Sequence, residues 1–451
     1  MRNFVRITEQ EIMRRLFAMT RALAAAAMCA AVSISCHKDN FIDPGSRKVF
    51  LLYAAAHNDL RDDIYANLQD LKKGYLPAAG DEDDILLVFQ RIARNSSTAT
   101  MTSDMQTAPV LLRYYKGSAG MPAADTLKVF PKNTNAADPA TLKEVLEFVR
   151  DAFPAGSYGM MFSSHATGWL PKGYYANSSS YERGAGVSSV PSGLPDGAVP
   201  YVAPKLRPGE PRTKSIGQDI VDGNAYELTV KEFAGAIPFR LDYIIFDACL
   251  MGCIEVAYGL KDVADEVAFS PAEVLAAGFD YTKVASRLLE RDEPDLKGLC
   301  SDYFEYYDTR EGIERAATIT LVDLRKIGPV AEVCRTLFDK YADNISALNP
   351  ARVQRYYRYD YRWFYDLEDI LLQAGIDGAE QAELRAALDG CIVYKAATPS
   401  FLSSYGGFNY GGFEIRHYSG LSMYLPIQSS RYLNTFYRGD ITWNAATGLL
   451  E

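Results

Sequence analysis

The stretch Leu241-Asp-Tyr-Ile-Ile-Phe-Asp-Ala-Cys-Leu-Met-Gly-Cys253 constrains this chain more than any other. Residues 241–246 form a short, β-rich apolar run, preceded by Pro238 and long enough for one buried strand of a parallel sheet. Beyond Asp247-Ala248-Cys249, the apolar residues Ile254, Val256, Ala257, Tyr258, Leu260 and Val263 recur at helical spacing. Cys249 therefore stands where a central strand hands over to a helix. In open α/β sheets ligands bind beyond the carboxyl ends of the strands, and a helix N-terminus favours a thiolate over a thiol. The alternative for such a Cys is a small core residue.

A second run, Ser157-Tyr-Gly-Met-Met-Phe-Ser-Ser-His-Ala-Thr-Gly-Trp169, also ends in a polar, Gly-containing turn, and this turn carries His165. The chain has only four histidines: His37, His57, His165 and His417. A His at one strand end and a Cys at another, distant in sequence and adjacent in the fold, is the layout of a Cys–His pair. His417, beside Tyr418 and without a nucleophile motif, reads as structural.

His-Ala-Thr-Gly-Trp (165–169) and Phe-Asp-Ala-Cys-Leu-Met-Gly (246–252) resemble the paired motifs of the clostripain (C11) cysteine peptidases, members of the caspase-like clan. The resemblance continues through Val49-Phe-Leu-Leu-Tyr-Ala-Ala-Ala-His-Asn-Asp-Leu60, Ser215-Ile-Gly-Gln-Asp219, Ala317-Thr-Ile-Thr-Leu-Val-Asp323 and Gly420-Leu-Ser-Met-Tyr-Leu-Pro426, so it spans residues 48–430. It implies a caspase-like α/β fold: a mostly parallel sheet flanked by helices, with a helix-rich α+β C-terminal region. It also implies a cysteine endopeptidase acting on proteins or peptides, with Cys249 as nucleophile, His165 as its acid–base partner and no third catalytic residue. The backbone N–H groups of Cys249 and Ala166 would hold the oxyanion. The family usually has Gly where this chain has Ala166; alanine keeps the N–H and is unstrained at negative φ.

The same resemblance implies cleavage after Arg or Lys. Asp247 would sit at the pocket base for charge-assisted pairing, the alternative being a cap on the following helix. A second acid would come from residues 269–280, where Glu273 and Asp280 are the candidates. Residues 170–215, rich in Gly, Ser, Pro and Tyr, form a long aperiodic loop carrying Lys172, Arg183, Lys205, Arg207, Arg212 and Lys214. The family resemblance implies self-cleavage in this loop, the alternative being an exposed loop that any protease nicks. No cofactor or metal is expected. Calcium enters by resemblance alone, and the sequence has no Asp-x-Asp-x-Asp-Gly loop. Two other classes compatible with the residues are a non-catalytic caspase-fold surface lipoprotein that acts in binding, and a hydrolase or transpeptidase of the same clan with another specificity.

At the N-terminus, Arg14, Arg15 and Arg21 precede an apolar run, 23–36, too short to span a bilayer. Residues 1–35 read as a signal peptide, Cys36 as the lipidated residue and 36–47 as a tether. Ser33 stands where a lipoprotein box prefers Leu, and simple secretion is the alternative. The expectation is an exported protein, held to the cell envelope by its lipid and monomeric. A net charge of −10 argues against nucleic-acid binding. Beyond Cys36 five cysteines remain, 249, 253, 300, 334 and 391, and an odd count leaves at least one thiol free.

The rest of the chain supports this organisation. Residues 48–280 alternate strand and helix, which predicts a catalytic domain built on a mostly parallel sheet. Its strands are expected at 48–54, 85–91, 109–116, 157–163, 241–246 and 266–270. Asp138-Pro139 opens one helix, and Thr229 with Glu232 forms a capping box for another. Residues 281–451 read as helical and Tyr-rich, with helices at 281–307, 330–345, 351–374 and 380–388 and short strands at 390–395, 412–417 and 421–425. Asp366-Leu-Glu-Asp-Ile-Leu-Leu372 reads as an amphipathic surface helix, and Asp81-Glu-Asp-Asp84 as a solvated loop.

Overall fold

The computed structural model describes residues 45–80, 83–93, 107–175, 198–200, 216–221, 224–357, 362–401, 412–427 and 431–451. The expected signal segment, Cys36, most of the expected tether, Asp81 and most of the 170–215 loop lie outside these residues. The first strand, β1 (Lys48–Ala56), is apolar almost throughout and buried on both faces, as a central parallel strand must be. It pairs in parallel with β2 (Ile85–Ile92) on one side and with β5 (Ser157–Ser163) on the other. β5 pairs in parallel with β9 (Leu241–Asp247), and β9 with β10 (Ala264–Phe269).

Antiparallel strands finish both edges of this parallel core. β3 (Val110–Lys116) and β4 (Pro122–Val129) extend it beyond β2, while β11 (Thr318–Asp323) and β13 (Ile392–Ala397) extend it beyond β10. The nine strands run β13-β11-β10-β9-β5-β1-β2-β3-β4. A small antiparallel sheet, β6 (Ala198–Pro200) with β8 (Asn224–Leu228) and β7 (Ile216–Val221), stands apart from it. From Pro44 to Glu451 the chain forms one unit. Residues 281–451 supply β11 and β13 to the same sheet that carries β1, so the fold does not break at residue 280.

Alternate residues of β1 divide the core in two. Val49, Leu51 and Tyr53 pack into one cluster, with α2 (Pro139–Ala152), α3 (Val230–Gly235), α4 (Ile254–Leu260) and much of the C-terminal region. Phe50 and Leu52 pack into the other, with α1 (Arg61–Leu71), α5 (Tyr281–Leu289) and α6 (Leu296–Asp308). The result is a helix–sheet–helix sandwich, in which the period of two along a strand assigns side chains to layers. The expected helix starts are present. Asp138 accepts from the N–H groups of Ala140 and Thr141, and Thr229 and Glu232 form a reciprocal capping box.

The C-terminal helices are α7 (Gly328–Ser346), α8 (Leu367–Ala374), α9 (Gly378–Cys391), α10 (Arg431–Asp440) and α11 (Thr442–Thr447). Two short pairs join them: β12 (Tyr365–Asp366) with β16 (Ser422–Met423), and β14 (Ser400–Phe401) with β15 (Phe413–Glu414). The expectation of an amphipathic surface helix at 366–372 is corrected. Glu368 and Asp369 are buried with the apolar residues of α8, and Glu368 is paired with His417 and Arg385. His417 is thus engaged away from the Cys–His motifs. The single helix expected over 281–307 is instead two, because Asp295 caps a new start by accepting from Gly298 N–H.

Glu255, buried in the first turn of α4, accepts from Tyr424 N–H and Tyr437 OH, both at 2.8 Å. These bonds fasten the C-terminal elements to the helix that follows Cys249. Burial pushes the Glu255 carboxyl up to about 7.

Candidate active site

Three parallel strands are aligned at one level of the sheet, where β5 and β9 end and β1 runs on for two more residues. Ala54 of β1, Ser163 of β5 and Asp247 of β9 are successive register partners. His165 lies two residues beyond Ser163, and Cys249 two residues beyond Asp247. The register alone therefore delivers both side chains to one carboxyl edge, where a single pocket is lined by Cys249, His165, Asp247, Ser163 and Ser164. Leu60 and Ile64 form one apolar wall of this ≈ 60 Å³ cavity, and Val274, Leu275 and Ala276 form another.

Cys249 is 8 % exposed. Its Sγ accepts from Val274 N–H at 3.3 Å and lies 3.6 Å from the Val274 carbonyl oxygen. The expectation that Cys249 sits at a helix N-terminus is corrected. α4 begins only at Ile254 with Cys253 as its N-cap, so Cys249 belongs to the turn before it. That turn is sharp. Leu250 adopts φ +62°, a region leucine rarely enters. It is held there by Leu250 N–H to Ala272 O at 2.9 Å and Gly252 N–H to Ser270 O at 2.8 Å.

The histidine turn packs directly on the cysteine turn. Gly168 has φ +57°, and a Cβ built on it would lie 2.6 Å from the Leu250 carbonyl oxygen. Trp169 Nε1–H donates to Trp363 O at 3.1 Å, anchoring the far end. Gly168→Ala is therefore expected to cost about 2 kcal/mol of stability. It should also displace the two turns, lowering both Tm and the rate at which Cys249 is alkylated. Ala166 is buried and, unlike Leu250 and Ala119, is not among the described non-glycine residues with positive φ. Its methyl group thus brings no backbone strain where the family has glycine.

Asp247 is 7 % exposed, and its Oδ2 accepts from Ser163 Oγ–H at 3.1 Å and from Tyr281 OH at 2.6 Å. Burial pushes its carboxyl up to about 6, against the lowering pull of the Tyr281 and Ser163 hydrogen bonds. Gly278, at φ +63°, lies over the carboxylate; a Cβ there would come within 2.6 Å of Oδ2. Any side chain at 278 would fill the space above Asp247.

The two candidates for a second acid do not line this pocket. Asp280 is the N-cap of α5, accepting from Thr282 N–H, and so fixes the helix start from which Tyr281 reaches Asp247. Glu273 is buried beside Val274. A residue that sequence reasoning missed is Asp59, whose Oδ1 lies 2.6 Å from His165 Nε2. Its signal was a polar His-Asn-Asp cluster closing an apolar strand, the kind of loop on which functional residues sit. Among the described residues, no group of His, Cys, Asp and Glu could hold a metal ion.

A mostly parallel sheet flanked by helices, with a cysteine and a histidine lining one pocket at its carboxyl edge, fits the caspase-like class, and comparison with known proteins specifies it further. The model of the clostripain family, peptidase family C11, matches residues 205–444. Clostripain from Hathewaya histolytica is 21 % identical over 460 residues, covering 87 % of this chain and 77 % of that protein. An inactive zymogen C11 protease from Parabacteroides distasonis is 26 % identical with a TM-score of 0.66, covering 89 % of this chain and 98 % of its own. A secreted C11 cysteine protease from Bacteroides thetaiotaomicron, solved with an irreversible peptide inhibitor, shares the fold at a TM-score of 0.68. It is 20 % identical, with 89 % of this chain and 99 % of that one covered. The chain belongs to the clostripain family and is a cysteine-type endopeptidase.

Proposed function

We propose that Cys249 and His165 form the catalytic dyad of this endopeptidase, and that it cleaves after Lys or Arg held by Asp247. The observation that carries this reading is the register: paired Ser163 and Asp247 each precede, by two residues, a side chain of the same pocket. The Cys249 thiolate attacks the scissile carbonyl carbon, and the backbone N–H groups of Cys249 and Ala166 receive the oxyanion. His165 hands its proton to the departing amine, and water then releases the acyl group.

A panel of peptides differing only in the residue before the cut tests this reading. Turnover is expected after Lys and Arg and absent after Asp, Asn and Leu. Turnover confined to the second group overturns the role of Asp247.

The acceptor geometry refines the expectation. Tyr281 and Ser163 both donate to Oδ2, which leaves Oδ1 for the substrate. An ammonium is a point charge satisfied by one acceptor, whereas a guanidinium fork seeks two. Lys peptides should therefore exceed Arg peptides in kcat/KM. Tyr281→Phe, by freeing one of the two acceptor positions on Oδ2 while Ser163 keeps the other, should raise the Arg-to-Lys ratio about tenfold, the worth of one charge-assisted hydrogen bond. An unchanged ratio counts against the one-oxygen reading.

Self-processing within 170–215 belongs to the same proposal. Gly217 N–H donates to His165 O at 3.0 Å, so the chain that follows this loop runs beside the histidine. No cofactor is invoked. Peptide substrates are supported by the inhibitor complex of the Bacteroides thetaiotaomicron protease, and export by its description as secreted. Lipidation at Cys36 would then hold the enzyme on the cell envelope. Among the described residues no helix is long and apolar enough to cross a membrane.

A further inference from the structure

We propose that Asp59 is the positioning residue for His165, acting on the Cys–His dyad through the histidine and not as a catalytic residue itself. This inference rests on the dyad reading above and adds what sets the histidine's tautomer and orientation.

Asp59 follows β1, the neighbour of β5, so its place is fixed by strand order rather than by sequence proximity. The turn that presents it is locked by the preceding residue. Asn58 is fully buried, and its Nδ2 donates to Ala55 O at 3.0 Å and to Gln218 O at 2.7 Å. Its Oδ1 accepts from Leu60 N–H at 2.9 Å. With both ends of the Asn58 amide engaged on either side of it, the Asp59 carboxylate is held where Oδ1 meets His165 Nε2 at 2.6 Å.

That contact selects one form of the imidazole. A carboxylate only accepts, so the nitrogen facing it carries the hydrogen: Nε2–H donates to Asp59. The neutral ring then bears its lone pair on Nδ1, the nitrogen left for the pocket that His165 shares with Cys249. Nδ1 takes the thiol proton as the Sγ–H bond breaks, leaving a thiolate and an imidazolium, and later returns that proton to the leaving amine. Asp59 keeps its own charge throughout and holds the ring in place across both transfers.

The test uses the full chain with four proteins: wild type, Asp59→Ala, Asp59→Asn and His165→Ala. Asp59→Ala is expected to lower kcat about 10²-fold with KM within about twofold of wild type. Formate should restore at least a tenth of the lost activity to Asp59→Ala, and none to His165→Ala. The Asp59 side chain is 23 % exposed, which gives the small carboxylate a route in. Asp59→Asn keeps the shape and folding of the wild type, which thermal melting checks, yet should lose as much kcat as Asp59→Ala.

Full activity of Asp59→Ala beside a dead His165→Ala overturns the role of Asp59 and leaves the dyad standing. Full activity of His165→Ala overturns the dyad itself. A loss in Asp59→Ala that appears only as a lower Tm or higher KM, and ignores formate, makes Asp59 a structural residue and overturns the proposal.

Discussion

Cys249→Ala is expected to lower kcat by on the order of 10⁴-fold or more while leaving the fold in place. The substitution removes one sulfur and with it two weak contacts to Val274, at 3.3 and 3.6 Å, so little stability is at stake. The chemistry, on the proposed reading, loses its nucleophile. Labelling supplies an independent check. Cys253, Cys300, Cys334 and Cys391 are buried, and burial pushes their thiols upward, well above the usual range for Cys253 and to about 12 for Cys391. Cys249 alone of these faces the pocket. Native protein lacking residues 1–36 should therefore take up one equivalent of iodoacetamide, read by intact mass, and Cys249→Ala none. Self-cleavage on a gel should vanish with the same substitution. Activity within tenfold of wild type would remove Cys249 from the mechanism.

Which parts of this molecule were legible in its sequence follows from where the information resides. Strands buried on both faces announce themselves by apolar runs, and β1, β2, β5, β9 and β10 fall within two residues of expectation. β4 does not, because Pro-Ala-Ala-Asp-Thr-Leu-Lys-Val is an exposed edge strand whose partner, β3, rather than its own composition, makes it extended. α8 reads amphipathic because its acids alternate with apolar residues. The partners His417, Arg385 and Gln381 offset the burial of Glu368, and none of them belongs to α8.

The site divides in the same way. Cys249 and His165 could be marked as candidates because each follows the end of its own strand by two residues. Asp59 could not be joined to His165 until strand order set β1 beside β5. Asp280 illustrates the converse. An acid four residues beyond the pocket lining was a reasonable candidate for it, yet the same residue is an N-cap, and local donors claim its side chain first.

Asp247→Asn is expected to reduce kcat/KM for Lys peptides by about 10²–10³-fold, the cost of leaving a buried ammonium without its counter-charge. The amide fills the same space between Ser163, Tyr281 and Gly278, so the pocket keeps its shape and the loss reports charge. A pH profile separates this from simple damage. Burial raises the carboxyl to about 6, so Asp247 is anionic above that pH and becomes neutral as pH falls through it. In wild type, KM for a Lys peptide should therefore rise on acidification below about pH 6. In Asp247→Asn, KM should be high throughout and show no such limb. Because the limb belongs to substrate binding, it appears in KM rather than kcat. The same limb persisting in Asp247→Asn would assign it to another group and the basic specificity to another pocket.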